Sequence, residues 1–244
     1  MGPGETNHLL QSLEPHVLDR FAKQVEEVAM RRGDVLHQQG GAVDWVYFPR
    51  SGLVGVFSET LDGESVESAM VGCEGALGVF EACGSRVWFA RAVVQLEGSA
   101  LRMRASQYRN LFERSRAVRT AVHKYVEALL TEARQFVVCN ALHSVESRLS
   151  RWILDAHDRS GVADPLPFTH ETLARMIGAQ RTTVAVAMSN FQRNGLLRNT
   201  RGSIEIADAA GLNRLACSCR DTIKFAAREI QASDTGSCEE SLTG

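Results

Sequence analysis

The chain has 244 residues, comfortable for two domains, with 44% hydrophobic and 23% charged residues and a formal net charge of −2. That balance is ordinary for a soluble globular protein, and no apolar run approaches the ~18 residues that span a bilayer, so no membrane partner is expected. Residues 1–13 lack the basic region and apolar stretch of a secretory signal, and Cys73, Cys83, Cys139, Cys217, Cys219 and Cys238 lack a disulfide-scaffold rhythm, which points to a cytoplasmic chain with free thiols.

A short helical start covers 8–25. Residues 28–103 then read as short strands between frequent turns. Trp45-Val46-Tyr47-Phe48, Leu53-Val54-Gly55-Val56-Phe57 and the stretch Trp88 to Val94 are rich in β-branched and aromatic residues, while Gly33, Gly40-Gly41, Gly52 and Asp62-Gly63 supply turns. This spacing predicts a small antiparallel barrel or jelly roll.

The hydrophobic period then changes. Val118, Val122, Tyr125, Leu129, Ala133 and Phe136 recur at helical spacing, and Val126, Leu130, Val137 and Ala141 form a neighbouring stripe. The pattern predicts one helix over 110–138, about 43 Å long at about 1.5 Å per residue. Two stripes can cover both the helix's own barrel and a second copy, and the first stripe is the expected homodimer interface. A further amphipathic helix follows over 145–157. Pro165-Leu166-Pro167 marks a connecting loop, and residues from Ser233 onward form a small polar tail expected to be disordered.

Residues 169–184 are the most informative. Thr169 suits an N-cap; Leu173, Met176 and Ile177 make an apolar face; Ala174 permits close approach, Gly178 suits a tight turn, and Val184 packs back. This is helix-turn-helix spacing. The second helix, from about 180 to 193, would enter the major groove with Gln180, Arg181 and Thr182 at base edges, and Arg181 suits the bidentate contact to guanine. Thr183 is better placed for phosphate, as is Thr169 at the preceding helix start. Leu196 to Arg198 and Ser203 to Ile206 read as a two-stranded wing whose Arg198 and Arg201 would touch the DNA backbone or minor groove. Between Phe168 and Ile204 five arginines stand against Glu171 alone, the local charge excess of a DNA-binding module.

Barrel, long helix and winged helix-turn-helix in this order resemble the Crp/Fnr family of bacterial regulators over nearly all of residues 8–230. The resemblance implies an α+β fold in which residues 1–109 form a cyclic-nucleotide-binding-like double-stranded barrel (a jelly roll). Residues 110–143 form a dimerisation helix, 144–232 a winged helix-turn-helix, and 233–244 a tail. It implies a homodimer on a two-fold symmetric site in double-stranded DNA, with RNA polymerase as a further candidate partner. Glu74-Gly75-Ala76-Leu77-Gly78-Val79-Phe80 followed by Arg86-Val87 resembles the family's phosphate-binding cassette, making Gly75, Ala76, Leu77, Arg86 and Val87 candidate effector contacts. Members that bind cyclic AMP carry a glutamate where this chain has Ala76 and a serine where it has Val87. Losing the ribose acceptor removes a charge-assisted hydrogen bond worth roughly 1.5–3 kcal/mol, which argues against cyclic AMP and leaves the effector unassigned.

Two other readings compete. Small barrels host metal-dependent enzymes, but His37 is the lone histidine of residues 28–103 and the glutamates there lack metal-site spacing. A protein-binding regulatory module is the other, opposed by the arginine excess. Cys217-Ser218-Cys219 could ligate a metal or sense oxidation, but no second pair or histidine cluster lies near it in sequence, so a tetrahedral site would have to borrow distant ligands and no metal site is assigned.

Overall fold

The structure, a computed structural model, describes residues 7–161, 165–200 and 202–232. The expected tail and Arg201 lie outside them. The helical start divides into α1 (His8–Gln11) and α2 (Pro15–Ala22), because Pro15, lacking an N–H, opens a new helix at its first position.

The barrel has seven strands: β1 (Glu26–Met30), β2 (Val35–His37), β3 (Trp45–Pro49), β4 (Leu53–Glu59), β5 (Ser65–Val71), β6 (Arg91–Leu96) and β7 (Gly98–Arg104). They pair antiparallel in two sheets, ordered β1-β7-β3 and β2-β6-β4-β5. Val46, Val54, Val94 and Met103 fill the space between the sheets. In β3 successive residues Val46 to Pro49 are all buried, so alternation fails there. The reason is a cover on its outer face: Phe21 of α2 meets Phe48 edge-on at 4.9 Å.

The helix expected over 110–138 is broken. It consists of α3 (Ala105–Arg114) and α4 (Arg116–Leu142), parted at Ser115, whose extended backbone and hydroxyl, accepting the Val118 N–H, start α4 afresh. Val118, Val122 and Tyr125 sit in the chain's own barrel core. The expectation that they meet a second copy is therefore corrected: the stripe with the best apolar side chains covers the barrel first. Leu129 is partly buried, Ala133 is exposed, and Phe136 lies half-buried under the Arg151 guanidinium. The neighbouring stripe is the one left open, with Leu130 48% and Val137 70% exposed.

A second core gathers around α5 (Val145–Ser160), whose Leu149, Trp152, Ile153 and Ala156 are buried. Against it pack α6 (His170–Ile177), α7 (Arg181–Arg193), the hairpin of β8 (Leu197–Thr200) and β9 (Ser203–Ile206), and α8 (Ala209–Leu215). Leu53, Phe57, Met70 and Leu96 of the barrel join the same cluster. The last helix among the described residues, α9 (Cys219–Ala232), runs back antiparallel along α4: Lys124 donates to the Gln231 carbonyl near one end, and Gln135 to the Cys219 sulfur near the other.

Arg159 at the end of α5 ties the parts together. It donates to the Met70 carbonyl of β5 at 2.8 Å, to Glu74 at 3.4 Å and to Glu132 of α4 at 2.7 Å, while its own carbonyl accepts the Cys73 N–H. A guanidinium has the planar fork that such convergent acceptors need.

Candidate nucleic-acid interface and barrel cavity

Thr169 caps α6 by accepting the Thr172 N–H at 3.1 Å. Leu173, Ala174, Met176 and Ile177 bury its inner face. Gly178 ends it in the left-handed region, φ 60°, with its N–H on the Ala174 carbonyl, a turn that strains a side-chain-bearing residue. Three residues later α7 begins, held by buried Val184, Ala187, Met188 and Phe191. The α6–turn–α7 frame thus follows from the apolar spacing, and it fixes what α7 turns outward.

Gln180, Arg181, Thr182 and Thr183 are all exposed around the first turn of α7. Gln180 is the N-cap residue yet makes no capping bond, so its amide is free to meet a ligand. Arg181 is tethered only by a 3.7 Å ion pair to Glu171, with both side chains largely exposed, an interaction worth little and easily exchanged. Further along the same helix Val186 is 62% exposed, an outward apolar side chain that its place among core-forming residues conceals in the sequence. Arg198 stands on the wing, paired with Glu205 at 3.0 Å. A cleft of about 480 Å³ separates the start of α6, Arg181 and Gln192 of α7, and Ser203 and Ile204 of the wing. Arg175 is turned elsewhere; its guanidinium lies over Phe57 of the barrel, 5.2 Å from the ring centre.

The barrel holds a cavity of about 790 Å³ between β5, the segment after it, and α4. Ala76 and Leu77 line it with Val71, Trp88, Tyr125 and Leu129. The other candidate effector contacts fall away from it. Gly75 is pressed on the Tyr125 ring, where a Cβ would come within 2.3 Å of the phenol oxygen, and that oxygen donates to the Ala76 carbonyl. Arg86 adopts φ 63°, its N–H bonded to the Glu81 carbonyl and its own carbonyl to the Val43 N–H, which sends the side chain to solvent. Val87 pairs with Ala42 at the rim.

Among the described residues the cavity lining has no Lys, Arg or His; its ionisable side chains are Tyr125, Glu81 and Glu132. Burial pushes the Glu81 carboxyl above its usual range, which favours its neutral form. Near the cavity, His37 stacks on Trp88 at 4.5 Å, and burial lowers its pKa to about 4, so the ring is neutral at physiological pH. The lining is apolar with acids.

The structure also gathers four potential donor side chains that are scattered in the sequence. Cys139 and His143, four residues apart on α4 and its C-cap, meet Cys217 between α8 and α9 and Cys219 at the start of α9, and all four candidate ligand atoms lie within 4.8 Å of one another.

Two family models match the chain: a cyclic nucleotide-binding domain at residues 27–115 and a Crp-like helix-turn-helix domain at 147–215. The chain is 25% identical over 227 residues to a CRP-like cAMP-activated global transcriptional regulator of Mycobacterium tuberculosis, covering 85% of this chain and 96% of that one. It is 28% identical over 196 residues to the transcriptional regulator SdrP of Thermus thermophilus, covering 78% and 94%. Among solved structures FixK2 of Bradyrhizobium japonicum superposes with a TM-score of 0.68 at 16% identity, covering 79% of this chain and 98% of that one, a likeness of fold.

Proposed function

The chain belongs to the Crp/Fnr family of transcription regulators, with a cyclic nucleotide-binding domain ahead of a Crp-like helix-turn-helix, and from that premise we propose that it acts in the cytoplasm as a homodimer on double-stranded DNA. The carrying observation is the open first turn of α7. Gln180, Arg181, Thr182 and Thr183 are exposed on a helix whose opposite face is locked into the core. Arg181 would exchange Glu171 for the O6 and N7 of guanine; Gln180 and Thr182 would meet neighbouring base edges. Thr183, the capped start of α6 with Thr169, and Arg198 would hold phosphates. The second copy would dock on the open stripe of α4, where Val126, Leu130, Ala133, Val137 and Asn140 recur at alternating spacings of four and three, the repeat of a two-helix seam.

The barrel cavity would admit an effector, and its lining disfavours an anionic one. A cyclic phosphate there would meet no cation in the lining and would give up its water to largely apolar walls. We therefore take the effector to differ from the cyclic AMP named for the mycobacterial relative. No step of this reading requires catalysis.

The direct test of the DNA face is recovery of genomic fragments by the purified protein and by Arg181→Ala. Wild-type protein should enrich a discrete set of sites. The variant should bind DNA with its sequence preference relaxed by about 1–3 kcal/mol at one base position per half-site. Identical site sets from both proteins would remove α7 from the recognition role.

A further inference from the structure

The four-residue cluster joining α4 to α9 lies apart from both the DNA face and the barrel cavity, and its chemistry is unused by either. The sulfurs of Cys139 and Cys217 are 3.4 Å apart, and Cys219 Sγ is 3.3 Å from His143 Nδ1. Three sulfurs and one imidazole nitrogen, all within 4.8 Å of each other, make a closed four-donor set. A tetrahedral zinc with Zn–S of about 2.3 Å and Zn–N of about 2.0 Å places its donors about 3.5–3.8 Å apart, so small shifts suffice to seat the ion. An iron–sulfur cube, whose iron and sulfide core stands between the cysteines, needs a wider cage.

The surroundings suit a metal as well. Cys139 and Cys217 are buried, and so is Cys219, the first residue of α9. Gln135 donates to the Cys219 sulfur at 3.2 Å, the outer contact that fixes a metal-bound thiolate.

We propose that Cys139, His143, Cys217 and Cys219 bind one zinc-class divalent ion in a closed tetrahedral Cys₃His site that fastens α9 to the end of α4. The site is structural in type, since four protein donors leave no open position for a substrate. Its place gives it a second consequence. His143 is the C-cap of α4 and Ser144 caps α5, so the ion would pin the junction at which the long helix hands over to the DNA-binding unit.

The test uses the full chain, purified under reducing and anaerobic conditions, stripped of metal and titrated with Co²⁺ alone. Strong visible ligand-field bands of tetrahedral cobalt thiolate, saturating at one ion per chain and bleached by Zn²⁺, are expected. Cys219→Ser and His143→Ala should each weaken Co²⁺ binding more than about a hundredfold, exceeding the 10–100-fold typical of outer partners such as Gln135. Cys83→Ser, exposed and remote, should leave binding unchanged. Because buried ligand variants can misfold, the wild-type spectrum decides. Only weak octahedral bands, or no saturable binding, would overturn the site. So would a reduced wild-type protein that ignores Co²⁺ yet forms a Cys139–Cys217 disulfide in air, which would make the pair a redox device instead.

Discussion

Arg181 and Glu67 show how differently single charges serve this molecule. Arg181 is in water with a weak partner, so its loss should alter recognition and leave folding intact. Glu67 is buried in the wall of β5 against α5, where one carboxylate oxygen accepts the Trp152 indole N–H at 2.7 Å and the other has no partner in the structure. Burial raises its pKa from 4.5 to about 8, outweighing that hydrogen bond and the nearby arginines. An acid whose folded pKa lies above its unfolded one supports folding fully below the unfolded value, and that contribution fades as pH rises through the folded one. Stability should therefore fall between about pH 4.5 and 8 through this group. Glu67→Gln keeps an acceptor for Trp152 and removes the charge; thermal unfolding followed against pH should show it more stable than wild type at pH 8 and above, with little difference near pH 5. A parallel displacement of the two curves at every pH would deny Glu67 this titration.

Among the elements, α4, which touches both the barrel and α9, shows best what a sequence reveals. Its two apolar stripes were visible in the spacing, yet periodicity cannot say which stripe faces inward. Three-dimensional packing decided that: Val122 and Tyr125 have the barrel beneath them, whereas Leu130 and Val137 do not. Substitution should separate the two. Leu130→Glu should leave a folded monomer by sedimentation, whereas Val122→Glu should lose several kcal/mol of stability by burying a carboxylate, and a folded Val122→Glu monomer would reverse the assignment. The break at Ser115 was hidden for a related reason, since apolar spacing runs on through it and only the cap marks the restart. Arg159 links α4, α5 and the segment after β5. Its replacement by alanine would leave buried Glu132 and half-buried Glu74 without their counter-charge, a cost of about 3–5 kcal/mol measurable by denaturant unfolding. A loss under 1 kcal/mol would mean that this junction bears no load.

For the molecule as a whole, the order of barrel, long helix and winged helix-turn-helix was legible because each part repeats its own period over many residues. The helix-turn-helix was the clearest, its spacing of Ala174, Gly178 and Val184 surviving intact into α6, the turn and α7. Ligand sites were less so. The cassette resemblance put Arg86 at the effector, but one residue at positive φ turns that side chain outward. The Cys₃His cluster escaped notice because Cys139 and Cys217 stand 78 residues apart, and only the return of α9 along α4 closes that distance. Local spacing finds helices and turns; groups joined by long-range packing are found by the fold.

The central claim is that two copies joined along α4 present two α7 helices to one DNA duplex. Selection of binding sites from a random duplex library by the purified protein, with no small molecule added, tests it most directly. The account predicts enrichment of a two-fold symmetric sequence with half-site centres about 10–10.5 base pairs apart or a multiple of that, lost in Leu130→Glu. Enrichment of a single unrepeated site, equally bound by Leu130→Glu, would contradict it.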